Sequence, residues 1–111
     1  MFLEIKHKQG VFIAPTVSKK PTEAFKTMNK SFFLNLSHIK QIEFLTNKER
    51  LAKTDLLVEK EKNQDIEALI VFFEVDPTQE KPQGFTLLFL NTFDGVNEFK
   101  RIEKAIQNFA I

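Results

Sequence analysis

The sequence predicts an α+β domain, an antiparallel β-roll or barrel of about six to seven strands closed by one C-terminal α-helix. Two nearly continuous apolar runs, at residues 68–75 and 85–90, flank a polar loop with two prolines and a glycine. This pattern is typical of two antiparallel strands joined by a turn. An amphipathic segment from Asp94 to Ile111 follows and predicts a helix on one face of these strands. At 111 residues with no visible linker, we expect a single domain, 1–111.

The C-terminal helix is predicted from apolar residues that recur at three- and four-residue spacing between Val96 and Phe109. Asp94 is the expected N-cap, and Glu98 is expected in the first turn, where a carboxylate favours the helix dipole. The polar residues between the apolar positions are expected to face water: Lys100, Arg101, Lys104 and Gln107. The predicted helix–sheet core consists of Phe72, Leu88, Val96, Phe99, Ile102 and Ile106.

The stretch from Ile70 to Phe73 is apolar at every position. A strand of this kind is covered on both faces. We expect the C-terminal helix on one face. The other face requires either sheet curvature, as in a roll or barrel, or a second subunit.

The N-terminal half begins with two predicted strands, Met1 to Lys8 and Val11 to Ala14, joined by a turn at Gln9-Gly10. The long connection at residues 15–31 contains two prolines. Within it, Thr22 to Met28 suits a short helix with its apolar residues facing inward: Ala24, Phe25 and Met28.

Two further strands are predicted between Ser31 and Thr46. Phe32, Leu34 and Leu36 share one strand face, and the apolar phase then slips, which indicates a turn near Ser37-His38 and a new strand at residues 40–46. Residues 47–50 are expected to form a turn. Residues 55–61 are expected to form a strand that leads through a hairpin turn into the strand at residues 66–75.

Composition limits the setting of the protein. The chain has no cysteine, no segment that resembles a signal peptide and no apolar run long enough to cross a bilayer, so we expect a cytoplasmic location. It has thirteen Phe but neither Trp nor Tyr. Most of these rings are expected to fill the core, and the others to form an exposed adhesive patch.

Charge is unevenly distributed along the chain. Residues 1–62 carry a net charge of +5 and residues 63–111 a net charge of −4. Such polarity steers an acidic partner, or simply reflects pairing of basic and acidic side chains on neighbouring strands. A candidate anion-binding site, for nucleic acid or membrane phosphate, lies in the 15–31 connection, although such a charge run is more often a solvated surface. Its lysines are Lys19, Lys20, Lys26 and Lys30.

The sequence offers little catalytic chemistry. Ser37 and His38 are adjacent, and neighbours on a strand point to opposite faces. His7 is the only other histidine, and no glycine-rich phosphate loop is present. Carboxylate pairs near strand ends are better explained as solvated charge: Glu59/Glu61, Asp65/Glu67 and Glu74/Asp76. We therefore predict no enzyme activity, no cofactor and no metal site.

A short motif adds a family resemblance. The stretch Phe33-Leu-Asn-Leu-Ser-His-Ile-Lys-Gln-Ile-Glu-Phe44 is similar to the I-x-L-S-x-I-x-x-I-E pattern of bacterial pleckstrin-homology-like domains. The passage from a strand into a final helix also resembles the ending of that family, with Phe99 in place of the Trp of its eukaryotic members. The part from Leu36 to Phe44 also resembles small bacterial flagellar regulators, which are shorter. The resemblance implies a binding domain for lipids, peptides or proteins.

We therefore predict a small non-enzymatic binding or adaptor module that acts through protein–protein contacts, with a second copy of the chain as one candidate partner. The alternative is a module that binds an anionic ligand, nucleic acid or membrane phosphate, through the Lys19–Lys30 region. A third hypothesis is an enzyme with a dispersed site around His38 or the carboxylates. The composition, rich in Lys, Asn, Ile and Phe, is typical of AT-rich bacterial or phage genomes and favours an accessory protein.

Overall fold

The computed structural model describes residues 1–14, 17, 25–74 and 83–109. These residues form seven strands, three α-helices and one 3-10 turn. The strands are β1 (Phe2–Ile5), β2 (Val11–Ala14), β3 (Lys26–Thr27), β4 (Phe32–Asn35), β5 (Gln41–Leu45), β6 (Ile66–Phe73) and β7 (Gly84–Leu90). The helices are α1 (Lys48–Lys53), α2 (Glu59–Lys62) and α3 (Phe93–Phe109), and the 3-10 turn is Leu36–His38.

The strands form two antiparallel sheets rather than one barrel. Five strands pair in the order β3-β2-β7-β6-β5, and β1 pairs with β4 in a separate two-stranded ribbon. The predicted α+β class and final helix are confirmed, but closure into a barrel is wrong. Because β1 pairs with β4 and not with β2, no described strand joins the two edge strands of the larger sheet, β3 and β5.

Both faces of the central strands are covered, as the apolar run in β6 predicts. On one face, Phe72 and Phe89 pack with Phe99 and Ile102 of α3 in what we call the helix-side core. On the other face, Leu69 and Val71 pack with apolar residues of the 45–57 segment: Leu45, Leu51, Leu56 and Leu57. This second cover is neither sheet curvature nor a second subunit.

The second cover corrects the prediction for residues 47–61. The expected turn at residues 47–50 and strand at residues 55–61 are instead helix α1, a turn and helix α2. Asn47 caps α1, because its Oδ1 accepts a hydrogen bond from the Glu49 backbone N–H at 2.8 Å. Leu51 then packs against the sheet. The short helix thus buries an apolar side chain that a strand at the sheet edge would have left exposed.

Four of the six predicted helix–sheet core residues lie in the helix-side core: Phe72, Phe99, Ile102 and Ile106. Leu88 faces the opposite side of the sheet, since successive strand residues alternate and Leu87 and Phe89 point toward α3. Val96 is half-buried outside this core, and Phe109 at the end of α3 is exposed.

Helix α3 begins at Phe93, two residues earlier than an N-cap at Asp94 implies. Thr92 therefore takes the N-cap position, and its hydroxyl accepts a hydrogen bond from the Gly95 backbone N–H at 3.1 Å. Asp94 is not the cap but lies within the first turn, where its charge still suits the helix dipole.

Most of the predictions for residues 1–46 are confirmed, and one is wrong. The first two strands, the turn at Ser37-His38 and the strand at residues 41–45 are confirmed. The helix predicted from Thr22 to Met28 is wrong where it can be judged, because Lys26 and Thr27 form the edge strand β3 beside β2. Its first three residues lie outside the described part of the chain. None of the described helices has the length and apolarity that a membrane crossing requires.

Candidate protein-binding surface

The ribbon of β1 and β4 has one buried and one exposed face. The two strands run antiparallel, with Leu3 opposite Leu34 and Glu4 opposite Phe33. Leu3 and Ile5 point inward and are buried in the helix-side core. Because strand side chains alternate, the intervening residues must point away from the protein.

Two phenylalanines lie on this outward face. Phe2 is 65% exposed and Phe33 is 69% exposed. Phe2 lies opposite Asn35, which places Phe33 at the diagonal position, within reach of an aromatic ring. We call Phe2 and Phe33 the ribbon patch, and apolar side chains grouped in this way on an exposed surface mark interaction sites.

One edge of the ribbon is closed by α3. The Leu36 N–H donates to the Met1 carbonyl, so the odd residues of β1 bond to β4 and the even residues face the other edge. There, Glu98 accepts a hydrogen bond from the Lys6 backbone N–H at 2.9 Å. The Arg101 side chain donates to the Glu4 carbonyl at 2.5 Å. Two side chains of α3 thus take the place of a neighbouring strand.

Glu98 and Arg101 also bind each other. Arg101 Nε donates to Glu98 Oε1 and Nη2 donates to Oε2, each at 2.7 Å, in a bidentate pair. The Glu98 side chain is only 1% exposed and that of Arg101 is 34% exposed. The hydrogen bonds to Glu98 raise the pKa of Arg101, against the opposing effect of desolvation. A cation whose pKa is raised in the folded state stabilises the fold at every pH below its usual pKa, so this contribution persists through the ordinary pH range.

The other edge of the ribbon is open. By the same alternation, the backbone N–H and C=O groups of Phe33 and Asn35 point away from β1. Among the residues that the structure describes, no hydrogen bond reaches these groups. The strand Phe32–Asn35 carries no charged side chain, although natural edge strands are commonly protected by lysine or proline. The ribbon patch therefore lies beside an edge that can accept another strand.

A second buried carboxylate, that of Glu61 in α2, has a structural role. The residue is 9% exposed. It accepts hydrogen bonds from the backbone N–H groups of Val58, at 3.1 Å, and Phe25, at 3.0 Å. Glu61 thereby caps the start of its own helix and ties the residues before β3 to the 45–62 segment. It lies away from Glu59, which is exposed, so this predicted carboxylate pair is not brought together.

The lysines of the predicted anion site are only partly described. Lys26 and Lys30 are exposed on and just after β3, and within the described part of the chain neither forms an ion pair. Lys19 and Lys20 lie outside the described residues.

The other polar candidates are dispersed. His7 follows β1 and His38 lies in the 3-10 turn, and both are exposed. Across residues 1–14, 17, 25–74 and 83–109, no three histidine, aspartate or glutamate side chains are grouped closely enough to hold a metal ion. Asp65 pairs with Lys48 at 3.7 Å rather than with Glu67. Asp76, the partner predicted for Glu74, is outside the described residues.

In comparisons with known proteins, no family model, no curated protein and no solved structure matches this chain. The resemblance to pleckstrin-homology-like domains therefore stays a prediction. The open sheets lack the closed barrel that this resemblance implies.

Two features of this surface were not predicted, although residue spacing in the sequence indicates both: the burial of Glu98 beside Arg101 and the outward position of Phe33. Glu98 is four residues before Ile102 and eight before Ile106, so helical spacing places it on the apolar face, where a carboxylate requires a partner. Arg101, three residues further on, is that partner. Phe33 lies between Phe32 and Leu34, which share the inner face, so strand alternation places it outside.

Proposed function

We propose that this protein is a non-enzymatic, cytoplasmic binding module that acts through protein contacts at the ribbon patch and the open edge of β4. One observation carries the proposal: two exposed phenylalanines lie beside a strand edge to which no described residue pairs, while the opposite edge of the same ribbon is closed by Glu98 and Arg101. An incoming strand would gain main-chain hydrogen bonds along β4 and apolar contact on the outward face.

The first partner that we propose is a second copy of the chain. Antiparallel pairing of β4 with its own copy across a two-fold axis is self-complementary, because Phe33 of one copy would face Asn35 of the other. The absence of charge on Phe32–Asn35 means that no like charges oppose each other along the new pairing. The Phe2 and Phe33 rings of both copies would then form one continuous apolar surface.

The rigidity of the ribbon supports this role. Leu3 and Ile5 anchor β1 in the helix-side core, and the Glu98–Arg101 pair fixes its closed edge to α3. A contact surface held in this way loses little conformational entropy on binding.

Photo-crosslinking tests the proposal. A benzophenone amino acid is placed at position 33 in one protein and at position 93 in a matched control, since Phe93 is 83% exposed on the start of α3, away from the ribbon. We expect a covalent dimer from position 33 and none from position 93. A specific adduct in cells between position 33 and a different protein would support the contact surface. It would show that the partner is that protein and not a second copy of the chain. Equal labelling at both positions, or none, would contradict the proposal.

A further inference from the structure

A groove on the helix side of the larger sheet forms a second candidate site, separate from the ribbon patch. It has a volume of about 320 Å³ and lies where the edge strand β3 meets the start of β4. Its apolar floor is Ile13, Met28 and Phe32, and its polar rim is Lys26, Thr27, Asn29 and Lys30. This volume is at the lower end of the range of small-molecule sites, about 300–1,000 Å³.

The floor is apolar and firmly supported. Met28 is 4% exposed and belongs to the helix-side core. The Phe32 ring packs edge-on against Phe85 at 6.1 Å, and Phe85 stacks on Phe72 at 4.8 Å. An aromatic cluster thus holds one wall in place, while the flexible thioether of Met28 can adapt to the shape of an alkyl chain.

The rim is positively charged. Ile13 and Lys26 are directly opposite each other in the β2–β3 pairing, so the lysine stem rises beside the apolar floor. Lys30 lines the same groove, and among the described residues no acidic side chain does. Both lysines are exposed and without an ion pair among the described residues. A ligand with an apolar body and an anionic head would bury the body and neutralise these charges.

We propose that this groove binds a free medium-chain aliphatic carboxylate. The compact ammonium groups of lysine act as point charges and suit a small anionic head. At about 320 Å³ the groove is too small for a folded partner. Phe32, the aromatic residue among its described lining residues, is half-buried rather than available for stacking with a base. The proposal does not depend on the function of the ribbon patch.

The two methionines of the chain provide a direct test. In protein labelled with ¹³C at the methionine methyl groups, sodium decanoate should shift the Met28 signal in a saturable manner. Met1 is an internal control, because it bonds to Leu36 at the end of the ribbon far from Phe32. Decyltrimethylammonium, with the same alkyl chain and the opposite charge, should not produce the Met28 shift.

Charge variants complete the test. Lys26→Gln with Lys30→Gln should raise the Kd for decanoate about tenfold, because two favourable charge contacts are lost. The matched control, Lys100→Gln with Lys104→Gln, removes two exposed charges from α3 and should leave the Kd unchanged. An unshifted Met28 signal, equal binding of decyltrimethylammonium, or equal loss in both double variants would overturn the proposal. Sedimentation with anionic vesicles, without a response of Met28 to decanoate, would overturn it in favour of a membrane surface.

Discussion

Glu98 and Arg101, three residues apart on α3, bind both each other and the backbone of β1. Removal of Arg101 leaves the buried Glu98 carboxylate without its charged partner. Arg101→Met should therefore destabilise the fold by about 2–3 kcal/mol, less than for a fully buried pair because Arg101 is partly exposed. Chemical denaturation followed by circular dichroism measures this change.

The double variant separates charge pairing from packing. Replacement of both residues by apolar ones, Glu98→Leu with Arg101→Met, removes the unpaired charge and should recover part of the loss. Amide exchange at Lys6 should accelerate in the double variant, because the Glu98 carboxylate that accepts the Lys6 N–H is lost. Additive effects of the two single substitutions would show that the pair is not coupled.

Gly95→Ala should destabilise the protein although it lies within a helix. Alanine ordinarily stabilises a helix by about 1 kcal/mol relative to glycine. Here an added Cβ would lie 2.2 Å from the Leu90 carbonyl oxygen and 3.1 Å from that of Gly10. We expect a net loss of about 1–3 kcal/mol in thermal or chemical unfolding. Asn97→Ala, at an exposed position of the same helix, is the control and should be neutral or slightly stabilising.

Phe99→Ala should cost about 3–5 kcal/mol of unfolding free energy. The Phe99 ring packs with Phe89 at 5.5 Å and with Phe44 at 6.4 Å, and the residue is 6% exposed. Phe93→Ala removes an exposed ring from the same helix and should change the stability by no more than about 0.5 kcal/mol. A Phe99→Ala protein that melts like the wild type would refute the docking of α3 on the sheet.

Thr92, rather than Asp94, should dominate the start of α3. Thr92→Ala removes the hydroxyl that binds the Gly95 N–H and should cost about 1 kcal/mol. Asp94→Ala removes only a favourable dipole interaction, worth about 0.3–1 kcal/mol. Thermal melts of the two variants measure these losses of stability. A larger loss for Asp94→Ala would indicate that Asp94 is the cap.

Periodicity predicted the elements that bury one clear stripe or run. The spacing of Phe99, Ile102 and Ile106 gave α3, and the apolar run at residues 70–73 gave a strand covered on both faces. It failed at residues 47–61, where the helices are only six and four residues long. Segments this short carry less than two turns of pattern, and tertiary packing of Leu51 and Leu57 decides their structure.

The candidate sites were less predictable because they depend on which strands pair. The sequence shows the lysines at positions 26 and 30, and strand alternation predicts that Phe33 points outward. It does not predict that β1 pairs with β4. That pairing brings Phe2 beside Phe33 and leaves one edge open. Non-local strand pairing is decided by the sum of many contacts, so no local motif reports it.

The solution mass of the protein as a function of concentration tests the central claim most directly. Light scattering should show growth from the 12.9 kDa monomer toward twice that mass as the concentration rises. Phe33→Asp, which places a charge beside the open edge, should remain monomeric, while Phe93→Asp, at a still more exposed phenylalanine, should associate like the wild type. A wild-type protein that stays monomeric at all concentrations, or equal dissociation of both variants, would contradict self-association through β4.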